Sequence, residues 1–169
     1  MEMKKIGVVL EGMIPNLIEM NQSQPLTAII EGLCNHWHLS NPEDYALQWE
    51  QNRPFFVTER NRIDIKDGDV LKLTASPAKM VQTAMDTLNK GSATEIEKTL
   101  KILAELASDI TYAQEFISSG GLKILIGKIE QKIVSATTLG YALKAFVELM
   151  DHGIVSWDLM EPKFIKEVM

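Results

Sequence analysis

The sequence predicts an α+β chain: a small mixed-sheet unit with a ubiquitin-like, β-grasp arrangement, followed by an all-α helical solenoid. Three observations carry this. Up to Ser76 the apolar residues come mainly in short β-rich runs, interrupted once by a helical stripe. After Ser76-Pro77 the apolar residues recur at spacings of 3 and 4. The links between these later stripes are short and punctuated by glycine, which suits stacked helices. The predicted division is therefore residues 1–76 and 77–169.

Lys4 to Leu10 reads as a strand, Gly12 and Pro15 as a turn, and Leu17 to Met20 as a second strand completing a hairpin. Gln24-Pro25 breaks the pattern. Leu26, Ile29, Ile30, Leu33, Cys34 and Trp37 then mark one helix. Asn41-Pro42 is a turn signal. Tyr45 to Trp49 and Phe55 to Thr58 read as strands, and Asp67-Gly68 turns the chain into a last one, Val70 to Leu73. One helix covering one face of such a sheet makes a compact unit.

In the second half, Ala78 to Leu88 is a helix that stops near Gly91. Ser92 and Glu95 have capping-box spacing before the stripe Ile96, Leu100, Leu103 and Ala107. Asp109 caps the next helix, which runs through Phe116 and Ile117 and is stopped by Gly120-Gly121. Leu122, Leu125, Ile126, Ile129 and Ile133 mark another, and Leu139, Leu143 and Phe146 the one after. The stretch from Ala145 to Trp157, AFVELMDHGIVSW, reads as a packing corner. Phe146, Leu149 and Met150 share a face, Gly153 ends the helix, and Ile154 and Trp157 open the next stripe. A final helix is expected from Pro162 to Met169. Glu115-Phe116-Ile117 before Gly121-Leu122 is echoed by Glu148-Leu149-Met150 before Gly153-Ile154, with Gly121 and Gly153 32 residues apart. Armadillo and HEAT units run to about 40–47, so these would be shortened units.

The hydrophobic fraction of 46% fills a core, and the net charge of -6 argues against a nucleic-acid partner. A single cysteine, Cys34, excludes an internal disulfide and fits a reducing compartment. No apolar run reaches the ~18 residues that span a bilayer. The leading apolar run, IGVVL before Glu11, is shorter than the roughly 7–15 residues of a signal peptide. A cytoplasmic protein without direct membrane insertion is expected.

Reactive chemistry is not assembled. His36 and His38 lie two apart and fall on different faces of a helix end, whereas a metal site needs three or four converging ligands. His152 sits where a cation complements a helix C-terminus, and Cys34 lies on the apolar stripe. Asp64, Asp67 and Asp69 loosely resemble a calcium loop, but the required glycine and glutamate are out of register, so a turn is the better reading. Trp37, Trp49 and Trp157 read as core. No phosphate loop, catalytic set, cofactor site or metal site is expected, hence no enzyme. What remains is surface. The second strand can offer its edge to another protein's strand. Lys4 and Lys5 lie by that hairpin, and Leu17 and Glu19 lie on the strand itself. Leu39 is an apolar residue in polar surroundings, open to partial burial or to partner contact. The concave side of the solenoid is the other candidate surface.

Four stretches resemble the N-terminal region of the ELMO (engulfment and cell motility) scaffold family. They are AFVELMDHGIVSW at 145–157, TYAQEFI at 111–117, ERNRIDIKDGDVLKLTASPA at 59–78 and, more loosely, PLTAIIEGLCNHWHL at 25–39. The resemblance implies a Ras-binding-type ubiquitin-like domain followed by armadillo repeats. It implies binding of an active Rho-family GTPase (RhoG-like). It also implies joint action with a DOCK-family exchange factor to activate Rac, with actin remodelling in engulfment and motility as the outcome and recruitment to the plasma membrane through partners. The family's later repeats, PH domain and proline-rich tail are absent here. They carry most DOCK binding, so this chain alone is not expected to support exchange. Through Ser76 seven Lys and Arg face eleven Asp and Glu, an excess of four negative charges. GTPase binding would then rest on strand pairing and apolar contact, or be weak. The competing reading is a general adaptor, whose helical repeats hold a receptor cytoplasmic tail or an autoinhibitory segment.

Overall fold

The structure, a computed structural model, describes residues 2–50, 55–131 and 135–155. The chain divides into two compact units, 1–79 and 80–169. Ile133, Trp157 and the helix expected from Pro162 lie outside the described residues.

In the first unit, β1 (Met3–Leu10) and β2 (Asn16–Asn21) form the hairpin. Helix α1 (Leu26–His36) follows, then β3 (Tyr45–Trp49) and β4 (Val70–Ala75). The sheet order is β2-β1-β4-β3, with β1 and β4 parallel and both outer pairs antiparallel. This is the β-grasp order. Ile6, Val8, Met20, Leu47, Leu71 and Leu73 of the sheet bury against Leu26, Ile29, Leu33 and Cys34 of α1. Each such side chain contributes about 1.5–3 kcal/mol on burial.

The strand expected at Phe55–Thr58 is not formed. Phe56 makes one isolated bridge to Gln48. Side chains then turn the backbone away from the ladder: Thr58 N–H donates to Asn61 Oδ1 at 2.7 Å, and Asn61 Nδ2 donates to the Phe56 carbonyl at 2.9 Å. Such local bonding competes with a strand for the same backbone groups.

Both ends of α1 depend on residues that no periodicity reveals. Pro25 offers no side-chain cap. Glu59 supplies it instead, accepting from Leu26 N–H at 2.9 Å. Glu59 also accepts from the buried Arg62, whose Nη1 donates at 2.6 Å. The same guanidinium donates to Gln22 Oε1 at 2.9 Å and to the carbonyls of Gln24 and Asn21 at 2.7 and 3.2 Å. At the other end His38 takes a left-handed backbone, φ 57°. Leu39 N–H then donates to the Cys34 carbonyl at 2.8 Å, and His38 N–H to that of Asn35 at 3.3 Å. This is the Schellman pattern, in which the residue after the left-handed position is apolar and packs back. Leu39 does so, partly buried against the core.

In the second unit, α2 (Pro77–Lys90), whose first residues belong to the first unit, is followed by α3 (Ala93–Leu106), α4 (Ile110–Ser118), α5 (Gly121–Gln131) and α6 (Ala136–Asp151). Helix α3 packs on α6, α6 on α5 and α5 on α4. The Ser92–Glu95 capping box forms reciprocally, and Asp109 accepts from Thr111 N–H at 2.9 Å. Tyr112 and Phe116 stack with ring centroids 6.3 Å apart, and burial pushes the Tyr112 hydroxyl up to about 12.

Of the two glycines expected to stop α4, only Gly120 does so, with φ 84°. Gly121 begins α5, and its reason is space: a Cβ there would lie 2.6 Å from the Phe116 ring. The left-handed counterpart of Gly153 is thus Gly120, one residue before the glycine paired with it by sequence. His152 does more than face a dipole. It caps α6, and its Nε2 lies 2.7 Å from the Ala107 carbonyl just beyond α3. Ile154, expected to open an apolar stripe, is exposed.

Two outcomes follow. Gly121→Ala is expected to destabilise the helical unit by about 1–3 kcal/mol, because the Phe116 ring is fully buried and cannot move aside. Urea unfolding followed by circular dichroism measures it. The bond from Leu26 N–H, with Arg62 beside it, holds the Glu59 carboxyl below its usual pKa. A depressed folded pKa contributes stability that is full above the unfolded value, near ~4.3, and is lost as pH falls through the folded value. Wild type is therefore expected to exceed Glu59→Gln in urea midpoint at pH 7. The gap should close below the usual carboxylate range; a gap constant down to pH 2 would show that this carboxylate carries no such stabilisation.

Candidate interaction surface

The β1–β2 hairpin places the candidate residues. Met13 N–H donates to the Leu10 carbonyl at 2.9 Å, and Gly12, φ 79°, supplies the left-handed step of the turn. The register then pairs Lys5 with Glu19 and Gly7 with Leu17, while Val70 of β4 lies opposite Gly7 on the other side. Side chains alternate across a strand. Ile18 and Met20 turn toward α1, and Leu17 and Glu19 turn to the open face. Leu17 is 90% exposed. Gly7 beside it has no side chain with which to cover it.

The result is a shallow depression of about 670 Å³ on the open sheet face, with Gly7, Pro15, Leu17 and Val70 among its lining and Lys5 and Glu19 alongside. The loop after β3 closes one margin. Lys5 N–H donates to Asp67 Oδ1 at 2.8 Å, and Gly68 N–H to the Lys5 carbonyl at 2.8 Å. Asp69 accepts from Lys66 N–H at 2.9 Å and from the Trp49 indole at 3.3 Å. These carboxylates are engaged in shaping a turn, as the sequence reading preferred. Among the described residues no group of His, Cys, Asp and Glu could hold a metal ion. No helix of the described residues is long and apolar enough to cross a membrane.

Five residues were singled out by sequence, and the structure brings three of them together: Lys5, Leu17 and Glu19. Lys4 pairs in register with Met20, on the α1 side, and its ammonium lies 2.9 Å from the Glu2 carboxylate, which holds it above its usual pKa. Leu39 lies past the end of α1, packed on the core. Gly7, Pro15 and Val70 were missed, although a glycine inside a strand signals that something approaches closely. Met13 and Ile14 at the hairpin tip, 53% and 85% exposed, extend the apolar character of this region.

A family model described as the ELMO protein N-terminal Ras-binding domain matches residues 2–76. A second, described as the ELMO armadillo-like helical domain, matches residues 111–169. Engulfment and cell motility protein 1 of Mus musculus is 41% identical, over 97% of this chain and 24% of that protein. Engulfment and cell motility protein 2 of Bos taurus is 38% identical over 97% of this chain and 23% of its own length. Protein 3 of Rattus norvegicus is 38% identical over 98% and 23%. The chain spans about a quarter of the length of the curated relatives it matches.

Proposed function

The chain belongs to the ELMO, engulfment and cell motility, family, and we propose that its first unit binds an active Rho-family GTPase of RhoG type. The observation that carries this is the match of residues 2–76 to a Ras-binding domain whose β2 presents an open edge beside a nearly fully exposed leucine. The unit is acidic, and Lys5 has Glu19 directly across from it. Contact therefore rests on strand pairing and apolar burial more than on basic steering. In the longer relatives this region would serve a scaffold without catalysis of its own. That scaffold would act with a DOCK-family exchange factor, through parts this chain does not span, to promote Rac activation and actin remodelling at the plasma membrane. Exposed Ile102 of α3 and Val147 of α6 give the helical unit apolar positions for a second partner class, receptor cytoplasmic tails.

Isothermal titration with RhoG loaded with a GTP analogue and with GDP tests the reading. Binding to the GTP-like form alone is expected; equal or absent binding in both states overturns it. Leu17→Ala is expected to weaken binding about tenfold, a loss of ~1.4 kcal/mol. The urea midpoint of that variant should stay within about 0.5 kcal/mol of wild type, since the side chain buries nothing in the fold. Raising salt from 50 to 300 mM should change affinity little; a steep salt dependence would mean that basic groups carry the contact.

A further inference from the structure

The chain has six prolines, and Pro77 alone among them follows a serine or threonine. Lys79 stands three residues after Ser76, giving Ser-Pro-Ala-Lys. β4 ends at Ala75 and α2 begins at Pro77, so Ser76 holds the cap position of α2. Its Oγ accepts from Lys79 N–H at 3.2 Å, and its own N–H donates to the Asp44 carbonyl at 2.7 Å. The whole segment lies within the first unit. Serine at a cap and proline at the first helical position are how helices ordinarily begin. Lys79 breaks that pattern.

It is the third residue of α2, where the partial positive charge of a helix N-terminus repels a cation. A capping box would put glutamate or glutamine there. Helix α3 is built that way, with Ser92 as cap and Glu95 third. Helix α2 has no acidic residue in its first turn. A cation set against the dipole is accounted for once the cap itself bears negative charge, as phosphoserine does. The segment is also within reach of another protein. Ala78 and Lys79 are exposed, and Ser76 is half-buried. The first N–H groups of a helix have no partner within it. The buried stripe of α2 starts only at Val81, so its first turn can open without emptying the core.

We propose that Ser76 is the phosphoacceptor of a proline-directed serine/threonine kinase that also selects a basic residue three positions on, and that the phosphate then caps α2. Proline suits such a kinase because it brings no N–H to be left unpaired in the substrate cleft. Lysine offers an ammonium to a carboxylate of the kinase. In the transfer, Ser76 Oγ attacks the γ-phosphorus of the kinase's ATP. The Oγ–P bond forms, the bond from that phosphorus to the departing ADP oxygen breaks, and the hydroxyl proton passes to the kinase's catalytic carboxylate. When the turn closes again, a phosphate oxygen replaces the hydroxyl as acceptor for Lys79 N–H, with the Lys79 ammonium in the same turn. This goes beyond GTPase binding, and no GTPase enters its test.

The full chain is incubated with a cyclin-dependent kinase, its cyclin and Mg-ATP, and phosphate is located by tryptic mass spectrometry. Phosphate on Ser76 is expected. Ser76→Asn, which keeps a cap but has no hydroxyl, should carry none there. Pro77→Ala and Lys79→Ala should each lower kcat/KM about tenfold. Circular dichroism checks that each variant is folded. In the phosphorylated, ¹⁵N-labelled chain the Lys79 amide should exchange with solvent about threefold more slowly than in the unmodified chain. No phosphate on Ser76, an undiminished rate for a folded Lys79→Ala chain, or phosphorylation of a peptide of residues 70–83 but not of the full chain would each overturn the site. An unchanged or faster Lys79 amide would overturn the cap. Should Pro77→Ala not fold, Lys79→Ala, which changes an exposed residue, still decides.

Discussion

The guanidinium of Arg62 holds the corner on which the candidate surface depends. A cation this buried is tolerated only when its donors are matched, and Gln22, Glu59 and the carbonyls of Asn21 and Gln24 match them. Three of those partners lie where β2 passes into α1, so the distance between strand and helix is set there. The ion pair itself is the smaller contribution. Glu59 is 60% exposed, and exposed pairs are worth about 0–1 kcal/mol. The charge-assisted bonds at the buried Arg62 end, each worth about 1.5–3 kcal/mol, carry more. Glu59 contributes chiefly as the cap of α1, taking the N–H that Pro25 cannot satisfy.

With that corner fixed, the register of β2 decides what the surface presents. A slip by one residue would turn Ile18 and Met20 to solvent and carry Glu19 into the core. Two bonds prevent it, one at each end of the hairpin: Met13 N–H to the Leu10 carbonyl and Gln22 N–H to that of Glu2. The exposure of Leu17 is thus a consequence of a pinned register and of Gly7 as its neighbour.

Local signals were legible in the sequence and distant ones were not. The capping box at Ser92, the cap at Asp109, the alternating strands and the stripe of α1 each declare themselves within a few residues. Phe55–Thr58 has strand composition, but composition does not supply a partner, and Thr58 and Asn61 divert the backbone. Arg62 and Glu59 give no local sign of their roles in the sequence, because their partners lie up to 41 positions away. In the candidate site, strand parity already separates Lys4 from Lys5, since neighbours on a strand point to opposite faces. Leu39 needed the left-handed backbone of His38 to be understood, and no glycine advertised it. Gly121 looked like a stop because its actual constraint, the Phe116 ring, comes from the preceding helix.

Magnitudes limit how small a GTPase contact can be. Burying Leu17 contributes about 1.5–3 kcal/mol. The outward N–H and C=O groups of Leu17 and Glu19 can form four hydrogen bonds, each netting about 0.5–1.5 kcal/mol. Together these reach roughly 4–9 kcal/mol, while association costs an estimated 4–15 kcal/mol before any affinity appears. Charge adds little, because Lys5 faces Glu19 and the unit as a whole repels an acidic partner. Strand pairing at β2 alone therefore cannot hold a partner tightly. A stable complex has to extend over the sheet face to Val70 and Pro15 and onto the hairpin tip, where Met13 and Ile14 already stand exposed. An interface confined to the edge would be weak and transient.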